Sequence, residues 1–268
     1  MPIVLRSAAL AGFSLVLAVT AAQAQHGHGH GGAAHGASPV PPAAAQGASA
    51  SGSFAVRSFG AFRAMVQKQD YAAKARLGDV KAGGATEAVG AVSGLRGEIT
   101  MIDGHFIVTY GGGCKTCPPA PDETAALLGA ARVAAWREPI LLATDMAGKA
   151  LDNFIISQAR AAGVDVSAPF PVRLTGELSN VEMHVNEAPN PDFTGHGSKT
   201  PMAKQDDFRH ASLQGEVVGL YAPPTMQGVL THPGEPFHFH WVDTDRTRTA
   251  HLDSFGMKQG AKLLLPAK

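Results

Sequence analysis

Phe237-His238-Phe239-His240-Trp241-Val242, then the polar stretch Asp243 to Thr249, then Ala250-His251-Leu252-Asp253, is the segment on which the reading of this chain turns. In an extended strand, side chains two apart share a face. His238 and His240 therefore project together, while Phe237, Phe239 and Trp241 turn the opposite way into a core. Asp-Thr-Asp-Arg-Thr-Arg-Thr reads as a turn that returns the chain and brings His251, on a neighbouring strand, up to the pair. Three imidazoles with an open coordination position describe a catalytic zinc site better than a closed structural one. The plainer alternative is three separate strand histidines, each with its own hydrogen bond.

Outward from this segment the chain alternates short apolar runs with Gly, Asp and Pro, a pattern of many strands. Leu95 to Thr100, the Asp103-Gly104 turn and His105 to Tyr110 predict a hairpin, because Asp-Gly suits the positive φ angles of a type I′ turn. Pro169 to Asn186, Leu213 to Tyr221, Phe237 to Val242 and His251 to Phe255 read as strands. Helices are expected at Arg57 to Gln67, at Glu123 to Trp136 on repeated i, i+3, i+4 steps, and at Asp152 to Ala162. The fold class is α/β in the α+β sense: sheet-rich, with mixed or antiparallel sheets and few helices. Leu95-Arg96-Gly97-Glu98-Ile99, Leu174-Thr175-Gly176-Glu177-Leu178 and Leu213-Gln214-Gly215-Glu216-Val217 share one pattern, and each is expected to open a strand. Gly at its centre permits a bulge or close approach.

The chain has 268 residues, with 22 Lys+Arg balancing 22 Asp+Glu. Such neutrality gives no electrostatic case for nucleic acid or an anionic membrane. Residues 1–24 carry Arg6, an apolar run from Ala8 to Thr20, and Ala22-Gln23-Ala24, which together read as a secretory signal peptide cleaved after Ala24. The expected address is the periplasm or the medium. Residues 25–53 are rich in His, Gly, Ala and Pro and are expected to form a disordered linker. His26, His28, His30 and His35 make it either a weak metal-capturing tail or a solubilising tether. Residues 54–268 form the folded domain. Cys114 and Cys117, in a Gly/Pro-rich loop, suggest a local disulfide in an oxidising compartment, with redox activity or soft-metal capture as the alternatives. His105, His196, His210 and His232 show no partner pattern, although His232 stands close enough to the ligand pair to line the site.

Gly228 to Phe255, with His-x-His and a third histidine thirteen residues after the first, resembles the zinc motif of the α-acetolactate decarboxylases. Val89-Gly90-Ala91-Val92 through Glu98 to Gly104 resembles that family's N-terminal hairpin. Pro171 to Val185 resembles its central strand, and Val218 to Gly228 its approach to the metal. The resemblance implies two sheet-rich halves, usually paired as a homodimer. It also implies Zn²⁺ on His238, His240 and His251, and a small 2-hydroxy-3-oxo acid such as 2-acetolactate, converted to acetoin and CO₂. Glu98 matches the family's N-terminal glutamate, the general acid/base. His184 stands where the family has an arginine for the substrate carboxylate. The family's second glutamate comes from a C-terminal extension, which falls beyond Lys268. Arg173 and Glu177 are the nearby candidates for these roles. The alternatives to a decarboxylase are a non-catalytic periplasmic metal-binding protein and a related lyase or hydrolase with another substrate.

Overall fold

The computed structural model of the chain describes residues 54–113 and 118–267. The expected leader 1–24, the tail with His26, His28, His30 and His35, and the Cys114/Cys117 pair lie outside the described residues. Two antiparallel sheets carry the fold. In the first, β1 (Val56–Phe59), β2 (Ala75–Arg76), β3 (Glu87–Val92), β4 (Gly97–Ile102), β5 (His105–Tyr110) and β6 (Thr124–Ala131) run in the order β1-β6-β3-β4-β5, with β2 beside β6. The second contains β7 (Ile140–Leu141), β8 (Met146–Ala147), β9 (Phe170–Pro189), β10 (Ala203–Tyr221), β11 (Phe237–Val242), β12 (Thr249–Met257) and β13 (Lys262–Leu264). Its order is β7-β13-β9-β10-β11-β12-β8, and β9 pairs with β12 as well, so β9 to β12 close into a ring. Closure leaves these four strands without an open edge between them.

Inside the ring, Phe237, Phe239 and Trp241 of β11 pack with Phe170, Leu174 and Val217. Helix α3 (Gly148–Ala161) lays Leu151, Ile155 and Ala159 on the same core, a stripe at i, i+4 and i+8. Between the sheets, Val89 and Ile102 meet Val218, Leu220 and Val242. The far face of the first sheet is covered by α2 (Leu77–Ala82) through Leu77 and Val80.

The sheets are also joined by a buried ion cluster. Arg173 of β9 grips Glu87 of β3, its Nη2 2.7 Å from Oε1 and its Nε 3.2 Å from Oε2. The same Nη2 donates to Asp103 Oδ1 at 2.6 Å in the β4–β5 turn, and the guanidinium lies over the Trp136 ring.

Four sequence expectations change. Glu123 to Trp136 is not a helix: its apolar centre is strand β6, paired with both β1 and β3. The alanines favour helix intrinsically, but burial of both faces between two neighbouring strands decides the outcome. Gly129 shows why the run contains glycine, since a Cβ there would lie 2.3 Å from Leu220 Cδ1. The expected helix at Arg57 to Gln67 divides into β1, a turn at Gly60 with φ of 79°, and α1 (Phe62–Lys68). The Leu-x-Gly-Glu motif opens a strand only at Gly97. The other two copies lie inside β9 and β10, where Gly176 and Gly215 are paired partners. Gly215 makes room for Trp241, whose Nε1 donates to Gln214 O at 3.1 Å. Finally, β10 begins ten residues before the expected Leu213, extending with β9 into a long ribbon.

Candidate metal centre

The three histidines of the opening segment converge where the two sheets meet. The turn after β11 is held by Asp243, whose Oδ1 accepts from the backbone N–H groups of Thr247 at 2.7 Å and Arg248 at 3.0 Å. That turn sets the register in which His240 faces His251. His238 Nε2 lies 3.1 Å from His240 Nε2 and 3.1 Å from His251 Nδ1. Two nitrogens bound to one tetrahedral zinc at about 2.0–2.1 Å stand about 3.3 Å apart, so the spacing suits a shared ion.

Hydrogen bonding fixes which lone pairs point inward. His238 Nδ1 donates to Leu230 O at 3.2 Å, which leaves Nε2 unprotonated in the neutral ring. The Thr249 hydroxyl donates to Trp241 O at 2.9 Å, so its oxygen accepts from Thr100 at 2.6 Å. Thr100 Oγ1 in turn accepts from His240 Nδ1 at 3.0 Å. His240 Nε2 is therefore also a bare lone pair, and it faces the lone pair of His238. Two such nitrogens in a dry site call for a cation between them. Burial pushes all three rings toward the neutral form, with the neighbouring histidines adding to the effect: His238 falls to about 3, and His240 and His251 lie well below the ordinary value. The donor set therefore fits a divalent metal, which requires neutral imidazoles. Among the described residues these three histidines are the group able to hold a metal ion.

The surroundings come from β4, from β9 and from the alternate positions of β12. Glu98 is buried, and its Oε1 accepts from Asn186 Nδ2 at 2.5 Å and from Asn186 N at 3.2 Å. Its other oxygen, Oε2, lies 3.7 Å from His240 Nε2. Burial pushes the Glu98 carboxyl up to about 7, against the pull of His184 and the Asn186 hydrogen bonds. His184 pairs across the sheet with His251, their ring centroids 4.8 Å apart, and its Nδ1 lies 2.9 Å from both Asp253 oxygens. Burial opposes charge on His184, but Asp253 and Glu98 outweigh it and raise its pKa. A cavity of about 220 Å³ adjoins the histidines, with Phe62, Met65 and Leu127 on its apolar side and His184, Asn186 and Asp253 on its polar side.

The strands thus bring Glu98 and His184 to the three histidines. They do not bring Arg173, which is committed to Glu87 and Asp103, nor Glu177, whose Oε1 accepts from Ser212 at the surface. His105, His196 and His210 are exposed, whereas His232 lines the cavity. Sequence reasoning missed Thr100, Asn186, Thr249 and Asp253. Each stands two residues from a position it identified, so the alternation of strand side chains carried the signal.

The model of the alpha-acetolactate decarboxylase family matches residues 59–264. This chain belongs to the alpha-acetolactate decarboxylase family. Among solved structures, alpha-acetolactate decarboxylase from Bacillus subtilis strain 168 is similar with a TM-score of 0.63 at 15% identity, over 79% of this chain and 85% of that one. The acetolactate decarboxylase of Bacillus subtilis subspecies spizizenii gives 0.63 at 16% identity over the same shares. A Staphylococcus aureus protein of unknown function, described as similar to alpha-acetolactate decarboxylase, gives 0.55 at 15% identity, again over 79% and 85%. No curated protein matches the chain in sequence. Family and fold together indicate an alpha-acetolactate decarboxylase-like function.

Proposed function

We propose that this family member is a zinc-dependent carboxy-lyase that converts 2-acetolactate, or a related 2-hydroxy-3-oxo acid, to the hydroxyketone and CO₂. The observation that carries the reading is the position of Glu98 Oε2, 3.7 Å from the lone pair of His240 on the histidine cluster. Zn²⁺ held by His238, His240 and His251 would act as a Lewis acid toward the negative charge that builds as CO₂ leaves. The remaining steps belong to the protein. The bond from the carboxyl carbon to C2 breaks, and its electron pair becomes part of an enediolate. Glu98, kept protonatable near neutral pH by burial, delivers its proton to carbon and is then reprotonated from solvent. With Asn186 holding Oε1, the proton arrives from one direction, which favours a single product enantiomer. His184, backed by Asp253, faces the substrate carboxylate in the position where the family has arginine.

The leader pattern in residues 1–24 supports export to the periplasm or medium, and the family resemblance supports a homodimer. The test is acetoin release from 2-acetolactate by zinc-loaded protein. Release that stops on chelation and returns with zinc is expected; no release by metal-replete protein from pH 5 to 8 overturns the reading.

A further inference from the structure

Two of the cavities that reach His251 also share His232. The inner one, of about 220 Å³, lies against His238 and His251; an outer groove of about 460 Å³ runs past His196, Pro233 and Glu235 toward the surface. They share three lining residues, His232, His251 and Asp253. His251 belongs to the proposed metal set, and Asp253 is bound to His184. His232 is the shared residue with neither task. Its ring lies against Phe62, centroids 4.2 Å apart, and edge-on to His251 at 6.2 Å. Its backbone is anchored as well: the carbonyl accepts from Glu235 N at 3.1 Å, the Thr231 hydroxyl donates to Glu235 O at 2.7 Å, and Pro233 follows. A ring packed on Phe62 above an anchored backbone is a partition rather than a mobile flap.

We propose that His232 is the specificity-determining wall of this site: it ends the inner cavity and so sets how long an alkyl substituent a bound ligand can carry. The ligand class is a small molecule with two adjacent oxygens for the metal and an apolar tail beside Phe62, Met65 and Leu127. Removing the ring would join the inner cavity to the outer groove and admit longer tails. The inference rests on the metal site and on a ligand in the inner cavity, but not on the loss of CO₂.

Hydroxamic acids of increasing chain length supply a probe independent of the reaction, because they chelate a metal through two oxygens whatever the enzyme's substrate. Cobalt-loaded wild-type protein, His232→Ala and His232→Phe would be titrated with aceto-, butyro- and hexanohydroxamate, read by the cobalt absorption bands. A methylene at a pocket wall commonly changes affinity by about tenfold or more. Wild type and His232→Phe should reject the longest acid. His232→Ala should accept it, improving its affinity relative to acetohydroxamate at least about tenfold. An unchanged ratio in His232→Ala overturns the proposal, as does a His232→Phe variant that behaves like it. If His232→Ala does not load cobalt, His232→Val takes its place under the same criteria. Failure of the wild type to load cobalt overturns both the wall and the metal site. Acetoin release measured in parallel separates the two readings: chain-length selection without release leaves the wall standing and removes the decarboxylase.

Discussion

Asn186 holds one oxygen of Glu98 with both its side-chain amide and its backbone N–H, at 2.5 and 3.2 Å, and leaves the other oxygen beside His240. One carboxylate thus has a structural half and a chemical half. β9 and β4 belong to different sheets, so the pairing also ties the proton donor's position to the packing of the two sheets on each other.

Replacing Glu98 with glutamine keeps a neutral, isosteric group but removes the transferable proton. Metal content should stay at the wild-type level, while acetoin release falls about 10²–10⁴-fold, the usual scale of a general acid. Paired metal analysis and kinetics check this. Loss of the metal along with the activity would make Glu98 a ligand instead.

The same variant reads out the burial of Glu98 in metal-free protein. Its carboxyl is raised from 4.5 to about 7, so folding favours the protonated form. The stabilisation is complete below the unfolded value near 4.5 and is lost as pH rises through about 7. Across that window the wild type should lose about 3 kcal/mol relative to Glu98→Gln. The depressed histidines act in the opposite sense, losing stability as pH falls below 6.5, but Glu98 is not among the causes of their shifts and they cancel. His184, which Glu98 helps to hold charged, offsets part of the difference. Denaturant melts of the two apo proteins from pH 4.5 to 8 give the difference; a flat difference contradicts the burial argument.

Thr100→Val leaves the shape of the site but removes the acceptor for His240 Nδ1. The ring is then free to carry its proton on Nε2, which blocks the lone pair a metal needs. Removing such an orienting partner commonly weakens metal binding about 10–100-fold. Competition with a chromophoric chelator should show that loss, with Thr100→Ser restoring most of it. Equal affinity in the valine variant would mean that His240 needs no orientation from Thr100.

The ligand set was legible because strand alternation places His238 and His240 together and an obvious polar turn returns His251. Glu98 and His184 came through family resemblance, since neither has a local pattern that marks it. Arg173 shows why proximity in sequence to such positions is not enough. Eleven residues separate it from His184 along β9, and although its partner Val218 also pairs with His240, its guanidinium is committed to Glu87 and Asp103. Strand β6 was illegible for a different reason. Ala-Ala-Leu-Leu-Gly-Ala-Ala is apolar throughout, so its i, i+3, i+4 steps are met without marking one helical face, and only the strands on either side decide its state.

That committed arginine makes the final prediction. Arg173 is 7% exposed and Glu87 1%, and the bidentate contact between them joins the sheets that frame the site. Glu87 and Asp103 hold the guanidinium charged despite its burial. Arg173→Met alone strands Glu87, whose carboxyl burial already raises to about 7 beside the arginine. The loss should approach about 3–5 kcal/mol, the cost of a buried pair broken from one side, only above pH 7 and shrink below it, where Glu87 takes up a proton. Glu87→Met alone should cost less, because Asp103 still accepts from Arg173 at 2.6 Å. The double variant replaces the pair with apolar groups of similar length and should recover part of the Arg173→Met loss. Urea melts of all four proteins in a double-mutant cycle measure the coupling. A double variant less stable than Arg173→Met would show that the charge pair does more than neutralise itself, and that the sheets depend on its geometry to stay in register.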